Sequence, residues 1–250
     1  MFRTANPALN ENIFTRATEE SYATDTMTVG GTVNKTAFFL LLTVLAAAFT
    51  WRLWDPTAGT VSPMLMPLMI GGAIGGLVFA LITIFVKKWA AITGSAYAIC
   101  EGLLLGGLSS ILNFAYPGIV IQAVGLTFGT LALILTIYKT GIIKVTDKFR
   151  MGVFAATGAI FLIYLATFIV HLFGGTIPYI HGNGWIGIGF SLLVIVIATL
   201  NLVLDFDFIE RGSAMGAPKY MEWYGAFGLM VTLIWLYIEF LRLLAKLRSR

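Results

Sequence analysis

Three carboxylates stand where a carboxylate needs a reason: Glu101 within AYAICEGLLLGG, Asp205 within LNLVLDFDFIERG and Glu239 within LIWLYIEFLRLL. Each lies inside a long apolar run, and a charge at the middle of a bilayer costs about 2.5 to 3.5 kcal/mol on insertion scales. No Lys or Arg is expected at comparable depth, so these acids face a wet cavity, bind a cation or hold protons. Two carboxylates sharing a low-dielectric cavity do not both ionise cheaply, and they titrate as a unit. That chemistry answers to pH without histidine.

Near these acids the helical spacing sorts their neighbours. Asp205 and Asp207 are two residues apart, about 200° around a helix axis, so only one of them faces the interior. Asp207 is four residues from Arg211 and is expected to pair with it at the surface. Asp205 is four residues from Asn201, shares a polar stripe with it and is assigned inward. Glu239 has Arg242 three residues on, close enough to pair, and Glu101 has the alternative of a protonated carboxyl hydrogen-bonded to a neighbouring helix. His171 and His181 flank an outer loop, lack a third ligand or a nearby acid, and are expected to be ordinary interfacial residues.

Several chemistries lack their residues. A retinal Schiff base needs a mid-span lysine, and the seventh apolar segment has none before Lys246. A zinc hydrolase needs three or more ligands, and an intramembrane aspartyl protease needs its GxGD and YD settings, which do not occur. Ser109 and Ser191 have no buried histidine base. Cys100 is the one cysteine, so no intrachain disulfide or thiolate cluster forms. Neither enzyme activity nor a cofactor is expected.

What must position the acids is a set of membrane helices. Of 250 residues, 58% are apolar and 11% charged, against about 25% charged in a soluble domain. Apolar runs bounded by charge predict an all-α, seven-span protein, with spans near 36–54, 63–86, 90–114, 117–138, 151–173, 184–208 and 222–245. A polar tail over 1–35, with no secretory signal pattern, precedes a single transmembrane domain over 36–250. GGAIGG in the second span and GLLLGG in the third place small residues four apart, a spacing for close helix contact. The net charge of +4 is scattered between apolar runs, which suits membrane loops and not nucleic acid. With the N-terminus inside, eleven Lys and Arg fall on the cytoplasmic side and five on the other. Arg242, Lys246, Arg248 and Arg250 then lie on the unfavoured side. A six-span arrangement, with the last segment turning back, would repair that count but has no Pro or Gly cluster for the turn.

The chain resembles the Bax inhibitor family, the transmembrane Bax-inhibitor-motif proteins, and in particular its bacterial branch. The resemblance rests on NPALNENIF at Asn6 to Phe14, GTVNKTAFFLLL, AYAICEGLLLGGLSSIL, NLVLDFDFIERG and LIWLYIEFLRLLAKL, and it covers nearly the whole length. Leu204 stands where Tyr is common before the sixth-helix aspartate, and Glu239 stands for Asp in the family's LYLDFINLF run. The resemblance implies a last helix running through the middle of the other six. It also implies a pH-sensitive calcium leak in which two acids on helices six and seven, here Asp205 and Glu239, share a proton and govern opening. The family's bacterial member latches its closed state with an arginine on helix two. The second span here has no counterpart, and Lys87 and Lys88 at its end are the candidates.

At about 1.5 Å per residue, Asp205 falls roughly 10 Å from its end of helix six and Glu239 about 25 Å along helix seven. Upright helices would hold the two apart, and the link GSAMGAPK leaves direct contact open. On these grounds the chain is read as a cation leak, for calcium in the first place, gated by Asp205 and Glu239. Glu101, Asn201 and Asp207 are candidates along the pathway. Three carboxylates fall short of the six to eight oxygens of a tight calcium site, so Asp205 and Glu239 would hold the ion only in transit. The alternative, which the resemblance also implies, is a non-transporting regulator that binds other membrane proteins, such as a membrane-anchored AAA protease or cell-death factors, through its tail. Proton-coupled exchange would use the same acids. The resemblance implies the bacterial inner (plasma) membrane, with the N-terminus in the cytoplasm.

Overall fold

The computed structural model describes residues 26–55, 60–175 and 182–249. Its helices are α1 Val29–Trp51, α2 Leu65–Phe85, α3 Ala90–Ala115, α4 Ile119–Lys139, α5 Asp147–Leu172, α6 Trp185–Ala214 and α7 Met221–Arg248. A 3-10 turn, Lys87–Trp89, joins α2 to α3, and a two-residue antiparallel ladder pairs β1 Trp54–Asp55 with β2 Thr60–Val61 between α1 and α2. All seven helices are long and apolar enough to cross a membrane. The shortest have 21 residues, about 31 Å, which matches the ~30 Å hydrocarbon core. The protein is therefore an all-α integral membrane protein, as its composition requires. Because α7 is one unbroken helix of 28 residues, the arrangement in which the last segment turns back is ruled out.

The helix ends depart from the apolar runs where capping chemistry overrides hydropathy. Thr28, in extended backbone, accepts a hydrogen bond at Oγ1 from Gly31 N at 2.9 Å and starts α1 at Val29. Residues 29–35 are therefore helical, and the first spanning helix begins before the apolar run at 36. Thr146 likewise accepts from Phe149 N at 3.2 Å and starts α5 at Asp147. That places Arg150 inside the helix, where the apolar run began only at 151. The NPALNENIF motif and His181 lie outside the described residues.

Two helices end on glycines that only glycine suits. At the end of α6, Gly216 has φ +68°; its N–H reaches Ser213 O at 3.1 Å and the next N–H, of Ala217, reaches Gly212 O at 3.0 Å. Gly174, with φ +79°, closes α5 with the same pair of bonds, to His171 O and from Gly175 to Val170 O. This is the Schellman pattern, which satisfies the last helical carbonyls.

The chain forms two compact units. The first holds α1, α2 and α3 together with residues 208–231, which close α6 and open α7. Within it α3 packs against α1 and α2 through small residues, as the glycine spacing predicts. On the α1 side, a Cβ at Gly102 would meet Thr43 O and one at Gly106 would meet Ala47 O and Thr50 Oγ1. Between them Ala98 O accepts from Thr43 Oγ1 at 3.1 Å. On the α2 side, a Cβ at Gly72 would lie 2.5 Å from Cys100 O. Close backbone approach of this kind replaces hydrophobic driving force between membrane helices.

The second unit holds the described part of residues 121–207, in α4, α5 and α6, and residues 232–248 of α7. Val153 and Leu204 form a buried apolar cluster within it, with Val145, Phe149 and Leu200 packed on them.

Candidate functional site

On α5 the residues Arg150, Thr157 and Tyr164 are spaced by seven, and on α7 so are Thr232, Glu239 and Lys246. Seven residues make two turns less about 20°, so each trio lies on one helix face. Ser191, Ala198 and Asp205 repeat the spacing on α6, and all three are buried. Helices that cross a membrane otherwise as apolar rods thus present three polar faces within the second unit.

Hydrogen bonds join those faces. Thr232 Oγ1 donates to Asp205 Oδ2 at 2.6 Å, and Lys246 Nζ donates to Ser191 Oγ at 3.0 Å and Gly187 O at 2.9 Å. From Asp205 back to Ser191 is fourteen residues, and from Thr232 on to Lys246 is also fourteen. Two antiparallel helices of equal rise therefore keep register across about 21 Å. Between these ends, Asn201 Nδ2 donates to Thr157 Oγ1 at 2.8 Å, and Tyr164 OH donates to Glu239 Oε1 at 2.8 Å. At the Asp205 end, Arg150 Nη2 meets Asp207 Oδ2 at 2.6 Å. The result is a polar column inside the unit, from Arg150 to Lys246.

Glu239 has a basic partner, which corrects the expectation that no Lys or Arg lies at its depth. Arg242 Nη1 lies 2.9 Å from Glu239 Oε1, and its guanidinium also sits 5.1 Å from the Tyr164 ring centroid. Asp207, expected at a solvated helix end beside Arg211, is buried and held by Arg150 of α5. Asp205 and Glu239 are 0% and 1% exposed. Asp207 and Glu239 are thus each paired with an arginine, Arg150 and Arg242. Without such matching, several buried ions would be too costly to hold.

Asp205 and Glu239 do not form one hydrogen-bonded pair. The α7 side chain bonded to Asp205 is Thr232, and Glu239 lies seven positions beyond it, about 10 Å along the axis. Glu239 takes its Oε1 bonds from Tyr164 and Arg242, and its Oε2 is buried with no hydrogen-bond partner among the described residues.

The remaining candidates lie in the first unit. Glu101, halfway along α3, is half-buried, accepts from the Tyr97 hydroxyl one turn back and covers Gly76 of α2. A Cβ at Gly76 would stand 2.9 Å from Glu101 Oε1. Lys87 Nζ lies 5.8 Å from the Tyr224 ring centroid, and Lys88 follows it in the same turn. The cation that ties a column aspartate is Arg150, on the fifth helix. Among the described residues no three His, Cys, Asp or Glu side chains gather closely enough to hold a metal ion.

Sequence reasoning passed over a second polar cluster, also in the first unit. Glu222, in the first turn of α7, is fully buried; it accepts from Thr28 N and Thr28 Oγ1, both at 2.9 Å, and pairs with Lys35. Met27 N donates to Ala217 O at 2.7 Å, and Ser213 Oγ donates to Met27 O at 3.2 Å. The start of α1 is thereby strapped to the α6–α7 link. Arg150, Tyr164 and Thr232 were passed over as well, although their seven-residue spacing to Thr157, Glu239 and Lys246 was visible in the sequence.

A family model described as Bax inhibitor 1 like matches residues 6–249, nearly the whole chain. No curated protein matches it.

Proposed function

Since the chain belongs to the Bax inhibitor 1 like family, we propose that it is a pH-sensitive cation leak, for calcium in the first place. Its ions would move along the polar column of the second unit, with Asp205 and Glu239 as the gating acids. The observation that carries this reading is the column itself. Buried acids, hydroxyls and an amide follow one another over about 24 Å of helix, from Asp207 to Ser191, most of a bilayer's hydrocarbon depth. Polar groups in a membrane interior are expensive, and they mark ion or proton pathways.

The two acids act in series and not as one chelating pair. At about 10 Å and an effective dielectric constant near 20, two charges still interact by about 1.7 kcal/mol, so the two acids feel one another without touching. A lone carboxylate with one or two hydroxyls holds calcium weakly, as passage requires. Calcium entry into proteoliposomes of the purified protein tests the reading. The leak assignment fails if liposomes with and without the protein fill at the same rate.

A second reading is favoured by the strap at Glu222. It fixes the point where the N-terminal region joins α1 to the start of α7, so a membrane-protein partner held by that region would pull on α7. An AAA protease or a cell-death factor is a partner of that kind. Under this reading deletion of residues 1–25 abolishes the cellular phenotype and leaves flux intact. We place the protein in a bacterial inner membrane with the N-terminus inside, where most of its Lys and Arg would face the cytoplasm. Two thirds of the most apolar stretch of α7 is buried (67%), the largest share among the seven helices, which supports a central place for it.

A further inference from the structure

Lys246 behaves unlike a lysine at a membrane helix end. It lies two residues before the end of α7 at Arg248, where a lysine can extend its stem and put the ammonium in water at little cost. It turns inward instead: the residue is 8% exposed, and Nζ donates to Gly187 O at 2.9 Å and Ser191 Oγ at 3.0 Å. Ser191 is itself buried. Backbone carbonyls and hydroxyls are the oxygens that replace water around a cation in a selective passage. An ammonium held by that set occupies a cation's place.

Position makes this consequential. Lys246 follows Glu239 by seven residues on the same face of α7, about 10 Å further along, with Arg242 between them bonded to Glu239. A cation leaving Glu239 toward the end of α7 meets this ammonium next. We propose that Lys246 is a tethered cation that plugs the α7 C-terminal end of the column, and that an ion passes only when the ammonium leaves the Gly187–Ser191 oxygens. The inference rests on the leak reading and adds to it a specific gate that neither acid supplies.

The test uses the full-length protein in liposomes at a single fixed pH, with calcium entry read by an internal fluorescent indicator. Lys246→Met removes the plug and raises the initial rate about tenfold, the factor for a barrier lower by about 1.4 kcal/mol. Ser191→Ala removes one of the two oxygens, leaves the charge, and raises the rate by a smaller factor. Adding Glu239→Gln to Lys246→Met cancels the rise, because the ion must still reach the gate. Wild-type flux with an equal rate in Lys246→Met overturns the plug and leaves the leak standing. No flux in wild type overturns the leak and the plug with it. A second readout guards against misfolding: methylammonium, which carries the missing group, raises the melting temperature of detergent-purified Lys246→Ala, and tetramethylammonium, which has no N–H, does not. Equal response to the two ions overturns the assignment of Gly187 and Ser191 as an ammonium site.

Discussion

Replacing Arg150 by Met removes the cation from a buried ion pair and leaves its carboxylate behind. The pair is close, 2.6 Å from Nη2 to Asp207 Oδ2, and its side chains are 3% and 11% exposed, so water replaces little of what is lost. Breaking one side of such a pair costs about 3 to 5 kcal/mol, mostly the penalty of the stranded charge. For a chain of this size each kcal/mol is worth roughly 2 to 4 °C, so the melting temperature should fall by about 6 to 20 °C. Removing both charges, in Arg150→Met with Asp207→Leu, takes that penalty away and restores at least half of the loss. Thermal unfolding in detergent, followed by tryptophan fluorescence, measures all three variants and completes the cycle. If Arg150→Met melts within about 2 °C of wild type, or the two substitutions simply add, the pair is not buried as described and the column loses its anchor at the Asp205 end.

Other expectations follow from single contacts. Thr232→Val deletes the hydroxyl that donates to Asp205 at 2.6 Å and should cost about 1 to 3 kcal/mol of thermal stability, while Thr232→Ser keeps the donor and costs much less. Gly106→Ala places a methyl against Ala47 O and Thr50 Oγ1 and should cost about 1 to 3 kcal/mol; Gly125→Ala on α4 meets nothing within 4 Å and should cost nothing measurable by the same assay. Glu222→Ala removes the acceptor of Thr28 N, so amide exchange at residues 28–32 should speed by about tenfold or more. Unchanged exchange there would show that the strap does not hold the start of α1.

The membrane class and the seven spans were legible because hydropathy alone decides them. The acids Glu101, Asp205 and Glu239 were legible because a carboxylate in an apolar run is conspicuous. Arg242 was legible too, as a possible partner three residues from Glu239; Arg150 and Lys246 were not, for two physical reasons. Arg150 stood outside the apolar run, and only the Thr146 cap draws it into α5. Lys246 and Arg248 were expected as charges on the unfavoured side of the membrane, but Lys246 binds α6 and Arg248 reaches Gln122 of α4. Those cations serve contacts within the protein. The register between helices, which sets Asp205 against Thr232 and not against Glu239, is a property of two segments together. No single segment's periodicity carries it.

The most direct test is the pH profile of calcium flux between about pH 5 and 9 for wild type, Asp205→Asn, Glu239→Gln and the double variant, each in liposomes of one lipid composition. If the two acids gate the column in series and are coupled across about 10 Å, the wild-type profile is broad with two proton-linked steps. Each single variant then loses one step, and the double variant is flat. A double variant that follows the wild-type profile would contradict the assignment of Asp205 and Glu239 as the gate.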